Sequence, residues 1–146
     1  MSAEAQIHAS LIIRKLSGAI VQLDYRSGPS AYNVDVTGAK GPVPGAIAAT
    51  VAGTDVDFGE LTQPTLCFIH NQDATNFVEY GIWDPEGSKF YPLGELGPGE
   101  SHILKLSRNL QEEYQTGTGT TGASTNRLRL KADTAACNVF VGAFEA

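Results

Sequence analysis

The sequence predicts an all-β protein: an antiparallel β-sandwich or jelly roll with at most one short helix. Apolar and polar residues alternate through most of its short runs, which is the pattern of strands with one buried face. Glycine (16) and proline (7) separate these runs in a chain of 146 residues, a share of about one in six against a usual share of about 12%. Turn residues at that density favour many short strands over helices.

The first strands are predicted in residues 7–14, 19–26 and 32–37, because apolar side chains recur at every second position in each run. A Ser-Gly pair at 17–18 predicts a hairpin corner between the first two strands. Residues 1–6 precede the alternation, and we expect them to form a flexible arm.

The middle of the chain begins with residues 38–45 (GAKGPVPG), which are predicted to be a loop because two prolines and three glycines do not suit a sheet ladder. Six strands are predicted after this loop, in short apolar runs: 47–51, 56–58, 66–70, 77–83, 90–91 and 102–106. Polar turns are predicted at 71–76 and, from Asp-Pro-Glu-Gly, at 84–87.

The last third contains the one stretch that predicts a helix, residues 106–115 (LSRNLQEEYQ), with about two turns. Residues 116–126 (TGTGTTGASTN) have no apolar side chain larger than alanine and predict a flexible Thr/Gly loop. Two further strands are predicted at 127–131 and 137–141. Residues 7–146 are therefore expected to form a single β-sandwich domain without internal repeats.

The charge balance argues against a nucleic-acid partner. The chain has 10 Lys and Arg against 16 Asp and Glu, a formal net charge of −6, whereas phosphate contacts need clustered positive charge. No run approaches the roughly 18 apolar residues that a membrane-spanning helix needs. Residues 1–6 also lack the basic and apolar segments of a secretory signal. We therefore expect a protein made in a cytoplasm, with neither nucleic acid nor membrane as its partner.

Histidine and cysteine spacing predicts neither a metal site nor a cofactor. His8, His70 and His102 fall in three different predicted strands, without the closely spaced pair that metal-binding jelly rolls use. Cys67 and Cys137 lie about 70 residues apart inside apolar runs. Two interpretations of these cysteines are open: buried free thiols that act as small apolar side chains, or a disulfide between strands distant in sequence.

No catalytic constellation is predicted, and we expect a protein that is not an enzyme. The GxGxxG pattern at 117–122 lacks the preceding strand and following helix that would hold a pyrophosphate. There is no GxSxG, and Cys67 has no basic neighbour to activate its thiol. Glu79 is the most interesting carboxylate because it lies in the middle of a strand, where we expect an exposed or interface residue.

The densest aromatic patch, formed by Trp83, Phe90 and Tyr91, is predicted near turns at one end of the sandwich. In the preceding alternating run, Phe77 and Glu79 share a face with Trp83. These five residues are the candidate interface. Three interpretations are open: a carbohydrate platform, a protein interface and a closing layer of the core.

Four segments in the middle of the chain carry a resemblance: 61–64 (LTQP), 67–81 (CFIHNQDATNFVEYG), 89–93 (KFYPL) and 96–100 (LGPGE). They resemble small structural proteins encoded in the head and tail gene clusters of tailed bacteriophages. In those proteins an N-x-D-x-T-N-[YF]-V-E-[YI]-G strand pair is followed by an aromatic-Pro-Leu strand and a PGE turn. The similarity covers less than a third of the chain.

The resemblance implies a virion component without catalysis and without a cofactor. Within that group we favour a capsid decoration (cement) protein, a jelly roll that forms a homotrimer, binds the major capsid protein on the capsid exterior and stabilises the shell. Negative charge suits the outside of a shell better than a position against packaged DNA. A tail or head–tail connector component is the alternative in the same class, and a carbohydrate-binding β-sandwich module is the alternative in a different class.

Overall fold

The structure, a computed structural model, describes residues 3–17, 20–28, 30–36, 42–59, 61, 64–107 and 127–145. Within these ranges the chain forms strands and turns and no helix, so the predicted all-β class is confirmed. The helix predicted over 106–115 and the loop predicted over 116–126 lie outside the described residues, except that Leu106 and Ser107 follow a strand without helical structure.

The described residues form twelve β-strands. In chain order they are β1 (Ala3–Ala9), β2 (Ile12–Ser17), β3 (Ile20–Arg26), β4 (Ser30–Val36), β5 (Val43–Ala49), β6 (Thr54–Asp55), β7 (Pro64–Asn71), β8 (Val78–Asp84), β9 (Lys89–Leu96), β10 (Ser101–Lys105), β11 (Arg127–Ala132) and β12 (Cys137–Glu145).

The chain divides into two compact units, Met1–Thr37 and Gly38–Ala146. In the first unit β1 pairs with β4 and β2 pairs with β3, both antiparallel. Reciprocal hydrogen bonds join the connections between them: the Leu11 N–H donates to Ser27 Oγ (2.7 Å), and the Ser27 N–H donates to the Leu11 carbonyl (2.8 Å). The arm predicted over 1–6 overlaps β1, whose pairing with β4 begins at Ala3 because backbone hydrogen bonds need no apolar side chain.

The second unit is an eight-stranded jelly roll. Its strands form two antiparallel sheets, ordered β10-β7-β12-β5 and β6-β11-β8-β9. The hydrogen-bonded pairs are nested along the chain: β5 with β12, β6 with β11, β7 with β10 and β8 with β9. Rolling such a nested antiparallel ribbon into two facing sheets produces the jelly-roll arrangement.

One strand begins earlier than the sequence predicts. Residues 38–45 were expected to stay out of the ladder, yet β5 starts at Val43 and pairs Pro44 with Gly142. That expectation is wrong for residues 43–45, because β5 lies at the edge of its sheet, where a proline is tolerated. β9 is also an edge strand, so it continues through Pro92 and is longer than the strand predicted at 90–91.

The core of the second unit lies between its two sheets. Inward positions of both sheets and the connection between β6 and β7 supply the buried cluster: Ala49, Val56, Phe58, Leu61, Cys67, Ile69, Val78, Leu96, Leu128, Leu130, Ala132, Cys137, Val139, Val141 and Ala143. Burial alternates strictly along β11, where Leu128, Leu130 and Ala132 are buried and the residues between them are only half-buried. This alternation fixes which side chains lie on the outer face of each sheet.

Candidate functional site

The outer face of sheet β6-β11-β8-β9 carries six charged residues and two aromatic rings, and we call it the charged face. Residues directly opposite one another in a ladder share a face, so the outward arginines of β11 identify its other members. The charged face consists of Asp55, Glu79, Gly81, Trp83, Phe90, Pro92, Glu95, Arg127, Arg129 and Lys131.

The centre of the charged face is a cluster built around Arg129. Its guanidinium carbon lies 3.7 Å from the centroid of the Trp83 ring. Its Nε donates to Asp55 Oδ1 at 2.6 Å, and Arg127 Nη1 donates to Asp55 Oδ2 at 3.0 Å. One carboxylate therefore bridges two arginines, and one of those arginines stacks on the tryptophan.

The aliphatic part of Arg129 lies against the backbone of Gly53. A Cβ atom built on Gly53 would lie 2.8 Å from Arg129 Cδ, and Gly53 has φ +100°, which a side chain rarely adopts. Glycine is therefore required at this position for conformation and for space. As a result Arg129 is enclosed on three sides, by Trp83, Asp55 and Gly53.

The cluster is partly covered. The side chains of Arg127, Arg129 and Asp55 are 22%, 15% and 26% exposed. Ion pairs near a surface contribute about 0–1 kcal/mol each, and a stacked guanidinium about 0.5–1 kcal/mol. The larger consequence is conformational, because side chains already held in one geometry lose less entropy when a partner binds.

The five residues of the predicted interface do not all lie on one surface. Trp83 and Phe90 face each other across the β8–β9 ladder on the charged face, and Glu79 lies on the same face between Lys131 and Glu95. Tyr91 opposes Ile82 and so lies on the other side of the sheet, because adjacent strand residues point in opposite directions.

Phe77 lies just before β8, outside the ladder, and is 37% exposed. Its carbonyl accepts hydrogen bonds from the Asp133 N–H (3.3 Å) and from the Cys137 thiol (3.7 Å). The backbone of Phe77 therefore has a structural role in joining β8 to the β11–β12 connection.

Sequence reasoning missed Asp55, Arg127 and Arg129 as members of the site. The alternation of Arg127 and Arg129 with buried leucines was visible, and it marked both as outward residues. Their acidic partner is separated from them by 72 and 74 positions. Only the β6–β11 pairing brings Asp55 to them, and nothing in the local sequence indicates that pairing.

Two of the three histidines contact aromatic rings. His102 stacks on Tyr80 with centroids 5.7 Å apart and 22° between the planes, and His70 lies 6.3 Å from Phe68. Over the part of the chain that the structure describes, no group of three or more His, Cys, Asp or Glu residues is placed to hold a metal ion. No helix among those residues is long and apolar enough to cross a membrane.

Both cysteines are free and buried, which decides between the two open interpretations. Burial raises the pKa of the Cys67 thiol to about 12. Burial also raises the pKa of Cys137, with smaller contributions from the negative charges of Asp73 and Asp133. Thiols with raised pKa values are poor nucleophiles at neutral pH.

The motif that carries the bacteriophage resemblance forms a structural junction. Asn71 is fully buried. Its Nδ2 donates to the carbonyls of Asn76 (2.9 Å), Leu96 (3.1 Å) and Gly97 (3.1 Å), and its Oδ1 accepts from the Asp73 N–H (3.0 Å). One amide side chain thus joins the β7–β8 loop to the β9–β10 turn.

Two carboxylates of the same motif hold the two connections in shape. Asp73 Oδ1 accepts from the backbone N–H groups of Asn76 and Thr75, both at 2.8 Å. These hydrogen bonds hold the pKa of Asp73 below its usual range. Glu100 Oε2 accepts from the Gly97 N–H at 2.7 Å. The Asn, Asp, Thr and PGE positions of the motif therefore serve the fold.

Comparisons of the chain with protein-family models, with curated proteins and with solved structures found no match. Function therefore has to be inferred from the geometry of this chain and from the resemblance of residues 61–100.

Proposed function

We propose that this protein is a non-enzymatic structural component of a bacteriophage virion, a capsid decoration protein that binds the major capsid protein through its charged face. The observation that supports this proposal is the preformed Arg129 cluster, in which Trp83, Asp55 and Gly53 enclose the arginine. Tryptophan and arginine are the residues most enriched among those that dominate protein–protein binding energy.

The surroundings of the cluster suit a protein surface as partner. Acidic Glu79 and Glu95 and basic Lys131 lie side by side in the ladder, so the rim presents both charges. A rim of mixed charge selects the orientation of a partner more than it adds affinity. On a shell built from many identical subunits, individually weak contacts of this kind add up to stable decoration.

The same geometry favours a protein partner over a carbohydrate. A sugar platform needs exposed aromatic rings side by side on one surface. The Arg129 guanidinium lies over the Trp83 ring, and Tyr91 points to the opposite side of the sheet. Lys89 Nζ lies 4.9 Å from the Tyr91 ring centroid. The three aromatic residues of the predicted patch are therefore not presented together.

The test is binding to undecorated capsids of the parent phage. Purified protein should bind in a fixed ratio to capsid subunits and raise the temperature at which the shells open. Lys131→Glu should weaken binding about tenfold or more, a change of about 1.4 kcal/mol. Lys89→Glu is the matched control, because it makes the same charge change on the opposite side of the same sheet.

Two outcomes would contradict the decoration role. If the protein does not bind to shells at any concentration, it is not a decoration protein. Binding only to the tail or to the portal vertex would show that the protein is a tail or head–tail connector component instead. Equal effects of Lys131→Glu and Lys89→Glu would show that the charged face is not the docking surface.

A further inference from the structure

The outer face of the other sheet, β10-β7-β12-β5, has a different character, and we call it the apolar face. Its members alternate with the buried residues of each strand and oppose one another across the ladders. The apolar face consists of Pro44, Ala46, Ala48, Leu66, Phe68, His70, Ser101, Ile103, Lys105, Asn138, Phe140, Gly142 and Phe144. We propose that this face binds a second copy of the same chain, which packs sheet against sheet in a two-fold dimer.

The apolar composition is the first observation behind the proposal. Outer faces of sandwich sheets ordinarily carry polar side chains. Here Ile103, 41% exposed, opposes Phe68, which in turn opposes Gly142. The space above Gly142 is filled, since a Cβ there would lie 3.1 Å from Phe140 Cε1 and 3.2 Å from Pro42 Cβ. Phe140 and Pro42 therefore cover the backbone at Gly142 with apolar side-chain surface.

The charge of the face is the second observation. The chain has a formal net charge of −6, so two copies repel each other at most orientations. The described polar side chains of the apolar face are neutral or basic: His70, Ser101, Lys105 and Asn138. By contrast Asp55, Glu79 and Glu95 lie on the charged face. Two copies therefore approach with least repulsion through their apolar faces.

The distribution of side-chain size selects a two-fold arrangement. The β10 edge of the face presents the large Ile103, and the β5 edge presents the small, exposed Ala46 and Ala48. A two-fold axis parallel to the strands places β10 of one copy over β5 of the other. The ladder places Ile103 level with Pro44, so each Ile103 then lies over Pro44 of the partner copy, next to the small Ala46, and the face is self-complementary.

The size of the face sets the expected strength. Four strands about 4.8 Å apart and about 17 Å long cover roughly 330 Å². A stable interface buries about 800 Å² per partner. The face covers less than half of that area, so the dimer should be weak. The proposal does not rest on the capsid role, because it concerns the protein alone in solution.

Sedimentation velocity of the full chain tests the proposal directly. Between about 5 µM and about 1 mM the sedimentation coefficient should rise from the monomer value towards the dimer value. Ile103→Asp should stay monomeric throughout, because it buries an unpaired carboxylate against the apolar β5 edge of the partner copy. Leu93→Asp is the matched control: Leu93 is 66% exposed, on the edge strand of the other sheet, and this variant should dimerise like the original chain.

A cross-linking experiment tests the geometry. A short bismaleimide should join copies of the double variant Ile103→Cys, Ala46→Cys. It should not join copies of Ile103→Cys alone, since the two β10 strands lie at opposite edges, about three strand spacings of 4.8 Å apart. Buried Cys67 and Cys137 do not interfere.

Several results would overturn the proposal. They are a chain that stays monomeric at the highest concentration, an equal loss of association in the Leu93 control, efficient cross-linking of Ile103→Cys alone, and a trimer instead of a dimer. If Ile103→Asp loses its β-sheet circular dichroism, Ala46→Asp at the opposite, exposed edge replaces it. Shell binding is measured separately, so failure of the dimer leaves the capsid experiment unaffected.

Discussion

At the scale of single residues, Gly81 marks a place where the backbone of a neighbouring strand leaves no space for a side chain. A Cβ on Gly81 would collide with the carbonyl oxygen of Tyr91 and lie 2.8 Å from Pro92 Cα. Both obstacles are backbone atoms at a ladder irregularity between β8 and β9, so they cannot move aside as a flexible side chain would.

We expect Gly81→Ala to destabilise the protein by more than about 3 kcal/mol, the range of severe overpacking. Urea unfolding followed by circular dichroism measures the change. Gly28→Ala is the control, because nothing lies within 4 Å of a Cβ at that position. Similar effects of the two substitutions would show that the close approach at Gly81 is not what requires glycine.

The lowered pKa of Asp73 predicts how the stability of the fold depends on pH. Hydrogen bonds from the backbone of Asn76 and Thr75 hold its pKa below the ordinary value in the folded state. A lowered folded-state pKa means that the carboxylate stabilises the fold above the unfolded pKa of about 3.9 and that this stabilisation is lost as pH falls through the folded pKa.

Asp73→Asn should therefore be less stable than the original chain near neutral pH, and the difference should shrink as pH falls below the unfolded pKa of about 3.9. Thermal unfolding at a series of pH values measures it. Glu86→Gln, in the exposed turn between β8 and β9, is the control for loss of a surface carboxylate. A difference that persists unchanged in acid would contradict the role of the carboxylate charge.

The two cysteines lead to a prediction about reactivity. Because both thiols are buried and their pKa values are raised, neither should react with a thiol reagent in the folded protein within minutes. Both should react at once in denaturant, and the absorbance of the released chromophore counts them. Immediate reaction of either thiol in the folded protein would show that it is accessible.

At the scale of elements, β6 shows how a very short strand is held in a sheet. It has two residues, Thr54 and Asp55, and it pairs only with β11 among the described strands. Two arginines of β11 bind the Asp55 carboxylate. Thr54 Oγ1 donates to the Ala48 carbonyl at 3.1 Å, which ties the strand back towards β5. Side-chain bonds thus replace the ladder bonds that β6 is too short to make.

We expect Asp55→Asn to destabilise the protein by about 1–2 kcal/mol, because it removes two ion pairs that contribute up to about 1 kcal/mol each. The loss should be smaller at high salt, which screens the original ion pairs. Urea unfolding at two salt concentrations measures both effects, and amide exchange at Thr54 and Asp55 should accelerate. An unchanged exchange rate would show that the carboxylate does not hold β6.

Element boundaries also show what local sequence predicts well. The strand predicted at 66–70 lies within β7, the strand predicted at 77–83 matches β8 except at Phe77, and the polar turn between them is confirmed. The Asp-Pro-Glu-Gly turn is present too, with the Gly87 N–H donating to Asp84 Oδ1 at 3.1 Å. The predicted bounds of β5 and β9 are wrong at their prolines, because the sequence does not reveal which strands lie at a sheet edge.

At the scale of the whole molecule, the buried cluster between the two sheets lies entirely in the unit Gly38–Ala146. This unit has two facing sheets with an apolar core between them, which is what a domain of its size needs to fold alone. We therefore expect the fragment 38–146 to unfold in one cooperative transition with its β-sheet signal intact. Calorimetry beside the full chain measures this, and a broad transition without a heat peak would show that residues 1–37 are required for the core.

The sequence alone determined the fold class and most of the strands, because period-two burial is a local property of a pleated strand. It also placed Glu79 and Trp83 on one face of the same strand, and it predicted the alternation over Arg127–Lys131. Sheet order, the nesting of β5 with β12, and the joining of Asp55 to Arg129 were decided only by the tertiary structure. These pairings depend on contacts between residues far apart in the chain, and such contacts leave no period in the sequence. For the same reason the contrast between a charged and an apolar outer face became visible only when the strands were assembled into sheets.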